Sequence, residues 1–179
     1  MTSDLRDKNQ LARLEAVVLP HLDAAYNLAR WLTGKDHDAE DVVQEAYLRA
    51  SQFFDGFHGV DGRAWLLTIV RNTCYTWLKK NRPHEPTVSF DDEQHSGSRE
   101  DTAPEGLLMQ GEDCRLVRET LEELPPEFRE VIVLRELEGM SYKEVATIIG
   151  VPVGTVMSRL ARGRERLQQC LTKRLIKEP

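Results

Sequence analysis

The residues best suited to chemistry lie between Tyr142 and Leu160 and continue to Arg166. A short apolar run ends at Gly150, Val151-Pro152 makes a tight turn, and a longer run begins near Val153. That is the sequence form of a helix-turn-helix. At about 100° per residue, Val156, Leu160, Gly163 and Leu167 fall on one side of the second helix, and Ser158 and Arg162 fall nearly opposite, beside Ala161 and Glu165. Arg159 and Arg166 lie on one flank, Met157 and Arg164 on the other. One face can pack while the other offers a hydroxyl and a guanidinium to base edges, with arginines at the rim for phosphates. The competing reading is a merely solvated face. Against it, Arg159, Arg162, Arg164, Arg166, Lys173, Arg174 and Lys177 meet the single acid Glu165.

A second cluster has the opposite sign. In Asp38-Ala-Glu-Asp-Val-Val-Gln-Glu-Ala-Tyr-Leu-Arg-Ala50, an apolar stripe of Ala39, Val42, Val43, Ala46, Tyr47 and Ala50 leaves Glu40, Asp41, Gln44 and Glu45 outside. This face is either solvated, with acids favoured near a helix start, or a docking surface for a basic partner. A third cluster runs from Phe53 to Gly62, where three glycines punctuate aromatic residues. Arg63, Arg71, Lys79, Lys80 and Arg82 follow closely. Aromatic faces that stack on bases, with cations along the backbone, are what single-stranded DNA binding needs. For Phe54 and Trp65 a place in the core is the better reading.

The elements that hold these clusters read as helices. Leu11, Leu14, Val18 and Leu22 recur at helical spacing, and Ala25, Tyr26, Ala29 and Leu32 carry the pattern past Pro20 to a capping Gly34. A strongly apolar helix is expected from Arg63 to Lys80. Pro83 to Glu112 then changes character: three prolines, many acids, and Arg99 as its only Lys or Arg. It reads as a flexible acidic linker. Beyond it, Leu116, Val117, Leu121 and Leu124 lead to Pro125-Pro126, and a helix is expected from Glu127 to Leu137 with Val131, Leu134 and Leu137 inward. Ser141-Tyr-Lys-Glu144 is a capping box. The expected fold is all-α: two small helical domains, 1–82 and 115–179, joined by the linker 83–114.

Composition narrows the class. The chain has 179 residues, 40% of them hydrophobic, and a net charge of −6, which by itself counts against nucleic-acid binding until its uneven distribution is seen. Cys74, Cys114 and Cys170 are odd in number and far apart, so neither a disulfide framework nor a zinc site is expected. The five histidines are scattered, and HExxH, GxSxG and phosphate-loop patterns are missing, so no catalytic residues, metal or cofactor are expected. With no apolar N-terminal run and no long apolar stretch, a cytosolic chain without membrane insertion is expected.

Taken together, Asp38 to Tyr47, Arg63-Ala-Trp-Leu-Leu-Thr-Ile-Val-Arg-Asn-Thr73, Leu124-Pro-Pro-Glu-Phe-Arg-Glu-Val131, Leu134 to Ala146 and Val151 to Arg164 resemble the extracytoplasmic-function (ECF) sigma factors of bacterial RNA polymerase. The likeness runs from about Leu11 to Leu171. It implies a factor that takes core polymerase to promoters. Glu40, Asp41, Gln44 and Glu45 would meet the beta-prime clamp helices. Phe57, His58, Arg63, Asn72 and Lys79 would serve the −10 element, with Phe57 and Asn72 lining a pocket for a flipped base. Thr155, Ser158, Arg159, Arg162 and Arg166 would serve the −35 element, and the C-terminal domain would touch the beta flap. An anti-sigma factor is the expected regulator. Met157 and Ala161 depart from the larger or basic side chains common in relatives, so the −35 sequence does not follow from this helix. A stand-alone helix-turn-helix regulator is the alternative, and it leaves the N-terminal half without a task.

Overall fold

The computed structural model describes residues 2–82 and 111–177, and among them every regular element is helical. The first half holds α1 (Thr2–Val18), α2 (Leu22–Thr33), α3 (Asp36–Phe53) and α4 (Gly62–Asn81). The helical pattern that crosses Pro20 is split there by a 3-10 turn, Leu19–His21, because proline has no amide to continue the ladder. Gly34 ends α2 at φ 85°, a conformation that favours glycine, with its N–H on the Arg30 carbonyl at 2.9 Å. The Asp61 carboxylate caps α4 by accepting from the Ala64 N–H at 3.0 Å.

Small residues let these helices approach closely. Ala25 and Ala29 of α2 and Ala39, Ala46 and Ala50 of α3 are all fully buried, and Leu28, Leu32, Leu66, Leu67 and Val70 fill the space between them. Each such leucine contributes about 2 kcal/mol relative to leaving it exposed. Cys74 sits in the same core. Burial pushes its thiol up to about 12, with the Glu130 charge acting in the same direction.

The second half holds α5 (Gly111–Glu123), α6 (Pro126–Ile132), α7 (Tyr142–Ile149) and α8 (Val153–Lys177). The expected linker lies outside the described residues, except that Gly111–Cys114 already belong to α5. The expected helix from Glu127 to Leu137 begins one residue earlier, at Pro126, whose ring is preset for a first turn. Its end departs further from expectation. Val133–Leu137 widens into a π turn, with the Glu138 N–H on the Val133 carbonyl and the Met140 N–H on the Leu134 carbonyl, both at 3.0 Å. The wider turn shifts the helical phase. Leu137, expected inward, is therefore 53% exposed, and Met140 is fully buried instead. Gly163 lets α8 approach α6 closely: a β-carbon there would lie 3.1 Å from Ile132 Cδ1 and 3.3 Å from Phe128 Cβ.

Arg129 organises this half. Its side chain is buried, and it donates to the carbonyls of Leu121 (3.0 Å), Glu122 (2.6 Å) and Leu124 (2.6 Å). The last carbonyls of a helix have no partner within it and carry its negative dipole end. At α5 the following Pro125-Pro126 supplies no amide, so the guanidinium takes that place. A fourth bond, to the Trp31 carbonyl at 2.9 Å, reaches into the first half.

Three outcomes are expected. Replacing Arg129 by Met keeps much of the volume but leaves buried carbonyls unmatched, so it should cost about 3 kcal/mol in urea unfolding followed by circular dichroism. Native Cys74 should resist iodoacetamide at pH 8 while the exposed Cys114 is alkylated, and both should react in urea. Because the folded pKa of Cys74 is raised above its ordinary value of 9.0, the stability it contributes is whole below pH 9 and drains as the pH climbs toward about 12.

Candidate nucleic-acid and polymerase interfaces

The helix-turn-helix is built as its sequence requires. Ser141 Oγ accepts from the Glu144 N–H at 3.2 Å, and Glu144 Oε2 accepts from the Ser141 N–H at 2.7 Å. Those bonds hold the Glu144 carboxyl below its usual range. Gly150 ends α7 at φ 73°, its N–H on the Ala146 carbonyl at 2.9 Å, and α8 leaves at 98° to α7. Val156 and Leu160 are buried against α7 and α6, so the register of α8 is fixed.

The five residues read from the sequence as duplex contacts fall into three environments. Ser158 and Arg166 are exposed; the Ser158 hydroxyl donates to the Thr155 carbonyl at 3.0 Å, and Arg166 lies 4.7 Å over the Phe128 ring. Thr155 and Arg162 are half-buried. Arg159 turns inward, its side chain only 13% exposed, and Nη1 lies 3.7 Å from Glu130 Oε1. Arg164 pairs with Glu136, and Arg174 pairs with Glu119 and Glu123 of α5, so part of the basic charge of α8 is spent holding its own domain.

On α4 the seven-residue spacing of Trp65, Asn72 and Lys79 brings them to one stripe, because seven residues are close to two turns. Asn72 and Lys79 are exposed. Phe57 packs on Trp65 with ring centroids 4.7 Å apart, and Phe54 lies 6.0 Å from Phe57, so the half-buried Phe57 stands at one end of the stripe. His58 is exposed nearby. Phe54 is core, as the sequence indicated, while Phe53 is exposed. Arg63 faces elsewhere: its Nη2 donates to the Glu138 carbonyl at 2.7 Å and to Glu138 Oε2 at 3.1 Å.

Glu40, Asp41, Gln44 and Glu45 form an exposed patch on α3. His37 Nε2 is 3.6 Å from Asp41 Oδ2, and Arg49 Nε donates to Glu45 Oε1 at 2.9 Å. Both pairs lie one turn apart along the helix and are solvated, which makes them easy to exchange for an external cation.

What sequence reasoning missed is how the halves meet. Glu130 of α6 is fully buried, and Arg71 of α4 grips it with two bonds, Nε to Oε2 at 2.8 Å and Nη2 to Oε1 at 3.1 Å. The Arg71 guanidinium also stacks on the Tyr75 ring at 4.2 Å. Burial pushes the Glu130 carboxyl up, and Arg71 and Arg159 pull it back. Burial opposes the charge of Arg71, yet the bonds and charge of Glu130 hold its pKa above the ordinary value. Burial also raises the Tyr75 hydroxyl, helped by the Glu130 charge. The signal available in the sequence was an Arg129-Glu130 pair inside the apolar run Phe128 to Val133. Charges there must be buried in company.

Among the described residues no cluster of His, Cys, Asp and Glu has metal-binding geometry, and no single helix is long and apolar enough to cross a membrane.

Comparison with known proteins accounts for both halves. The sigma-70 region 2 family matches residues 17–84, and the sigma-70 region 4 family matches residues 114–167. The ECF RNA polymerase sigma factor SigE of Mycolicibacterium smegmatis is 33% identical over 170 residues, 93% of this chain and 65% of that protein, so the chain spans just under two thirds of that relative. The ECF RNA polymerase sigma-E factor of Escherichia coli is 38% identical over 137 residues, 73% of this chain and 72% of that protein. Two solved structures are similar. The sigma factor RpoE of Bartonella quintana, in complex with the anti-sigma factor NepR, has a TM-score of 0.65 at 32% identity, covering 87% of this chain and 94% of its own. CnrH, in complex with the cytosolic domain of CnrY, has a TM-score of 0.62 at 26% identity, covering 89% and 88%. With both regions matched in order and a relative of that identity covered across most of its length, the chain belongs to the ECF RNA polymerase sigma factors.

Proposed function

We propose that this chain is a cytoplasmic transcription initiation factor that carries out no catalysis and needs no cofactor: it binds core RNA polymerase, reads the −10 and −35 promoter elements and assists DNA opening. The observation that carries the reading is the coexistence, in one family-matched chain, of an exposed acidic face on α3 and a basic helix-turn-helix on α8. Residues 1–82 serve the clamp and the −10 element, 115–179 serve the −35 element and the beta flap, and 83–114 join them. Glu40, Asp41, Gln44 and Glu45 bind the beta-prime clamp helices. Phe57 and Asn72 hold a flipped base, with His58, Arg63 and Lys79 on the nearby strand. Ser158 and Arg162 meet base edges in the −35 groove, and Thr155, Arg159 and Arg166 meet its phosphates. Regulation by an anti-sigma factor is supported by the relative solved with NepR.

The test is reconstitution with core polymerase. The purified chain should give promoter-specific run-off transcripts with core enzyme and negligible specific gel-shift on duplex DNA alone. Strong specific binding of duplex without polymerase would replace this reading with that of a stand-alone regulator.

Variants locate the surfaces. Asp41→Lys and Gln44→Ala should each reduce co-purification with core enzyme about tenfold at unchanged thermal stability, since one lost charged or polar contact costs on the order of 1.4 kcal/mol. Arg162→Ala should weaken −35-dependent promoter binding by about 1–3 kcal/mol, measured by competition between wild-type and scrambled −35 templates. Asn72→Ala should leave closed-complex affinity intact and lower permanganate reactivity of the −10 thymines.

A further inference from the structure

Three ion pairs between the two halves share one sign. The first half contributes arginines and the second contributes glutamates: Arg30 Nη1 to Glu122 Oε1 at 3.4 Å, Arg71 to Glu130, and Arg63 to Glu138. Asn27 adds a bond to Glu138 Oε1 at 3.2 Å. Glu122, Glu130 and Glu138 recur every eight residues, as a short acidic ladder along the edge of the second half. The middle rung is the deepest. The Glu130 carboxylate is sealed from solvent, and it holds an arginine from each half, Arg71 by a two-pronged bond and Arg159 at 3.7 Å.

A carboxylate that takes an arginine by two parallel bonds presents to it much of what a phosphate presents. Arg63 and Arg71 sit on α4 with the stripe read as a single-strand surface, and Arg159 sits on the helix read as a duplex surface. We propose that Glu130 is an internal stand-in for a nucleic-acid phosphate: with Glu138 beside it, it locks the two halves together and occupies arginines that DNA would otherwise engage. The closed arrangement is then self-masking without any second protein. Opening breaks the pairs that cross between the halves, so it releases Arg63 and Arg71 of α4, and hydration of Glu130 loosens its remaining pair with Arg159 inside the second half.

The meaning of the masked arginines rests on the function proposed above, but the lock itself is tested without polymerase. The full chain carrying Cys114→Ser and Cys170→Ser, with Gln52→Cys on α3 and Gln168→Cys on α8, takes a donor and an acceptor dye at two exposed sites, and Cys74 stays buried and unlabelled. Single-molecule energy transfer then reports the ratio of open to closed molecules. Glu130→Gln and Arg71→Ala should each raise that ratio at least tenfold, and the double variant should do little more than either alone, because both break one interaction. Circular dichroism reports folding; should Glu130→Gln lose helicity, Arg71→Ala decides, since it leaves Glu130 its Arg159 partner within the same half. Unchanged energy transfer in a folded Arg71→Ala chain overturns the lock.

A second measurement addresses the masking. A random-sequence 20-base-pair duplex at low salt should bind Glu130→Gln several-fold more tightly than the unaltered chain. Glu15→Gln, which removes one charge from the exposed face of α1, should bind as the unaltered chain does. Equal affinity of Glu130→Gln and Glu15→Gln would overturn the phosphate-mimic role. Failure to bind core polymerase would sink the function proposed above and leave the energy-transfer result standing.

Discussion

Glu130 buries its carboxyl group completely, and the arrangement of the two halves answers to that fact. An ionised carboxylate taken from water into a protein interior loses several kcal/mol of hydration, which only close, well-directed cations restore. Arg159 alone, at 3.7 Å, does not satisfy it; the two-pronged grip of Arg71 does. The closed arrangement is therefore a solution to a charge problem posed by the second half and answered by the first. Removing one partner strands the other, which is why such an interaction is nearly all or none.

The same logic separates α8 into tasks. Its buried edge, Val156, Leu160 and Gly163, is set by contact with α6 and α7. Its C-terminal arginines are drawn to Glu119, Glu123 and Glu136, tying it to α5 and the π turn. What remains toward solvent around Ser158 and Arg166 is a short window. The acidic patch on α3 takes no part in the closure and stays exposed. A partner can thus meet the α3 face before the halves separate, and one that favours the separated arrangement shifts the balance only by its difference in affinity for the two states. Under the proposed function, docking at α3 and release at Glu130 are physically distinct events.

Much of the fold was legible beforehand because its signals are local. Hydrophobic spacing marked each helix, Gly34 and Gly150 marked ends, and Ser141 with Glu144 marked a start; all depend on groups a few residues apart. The misreadings arose where local pattern met tertiary demand. Leu137 has the spacing of a core residue, but the π turn before it rotates it into solvent and gives its place to Met140. Nothing in the local pattern gives Arg129 a task, yet it closes the carbonyl end of α5 across a pair of prolines. Among the candidate site residues, the exposed acids of α3 and the Asn72–Lys79 stripe sit where helical periodicity puts them. Arg63 and Arg159 point where no periodicity could foretell, because their partners lie 75 and 29 positions away.

The amino-acid sequence by itself determined that this protein is helical, that its two apolar blocks are divided by an acidic stretch, and that basic and acidic faces lie on different helices. Those properties follow from the 3.6-residue period and from charge, which act over one or two turns. Only the tertiary structure decided which cations face outward and which are consumed. That choice depends on desolvation, which is felt only when helices distant in the chain come together and water leaves the space between Arg71, Glu130 and Arg159.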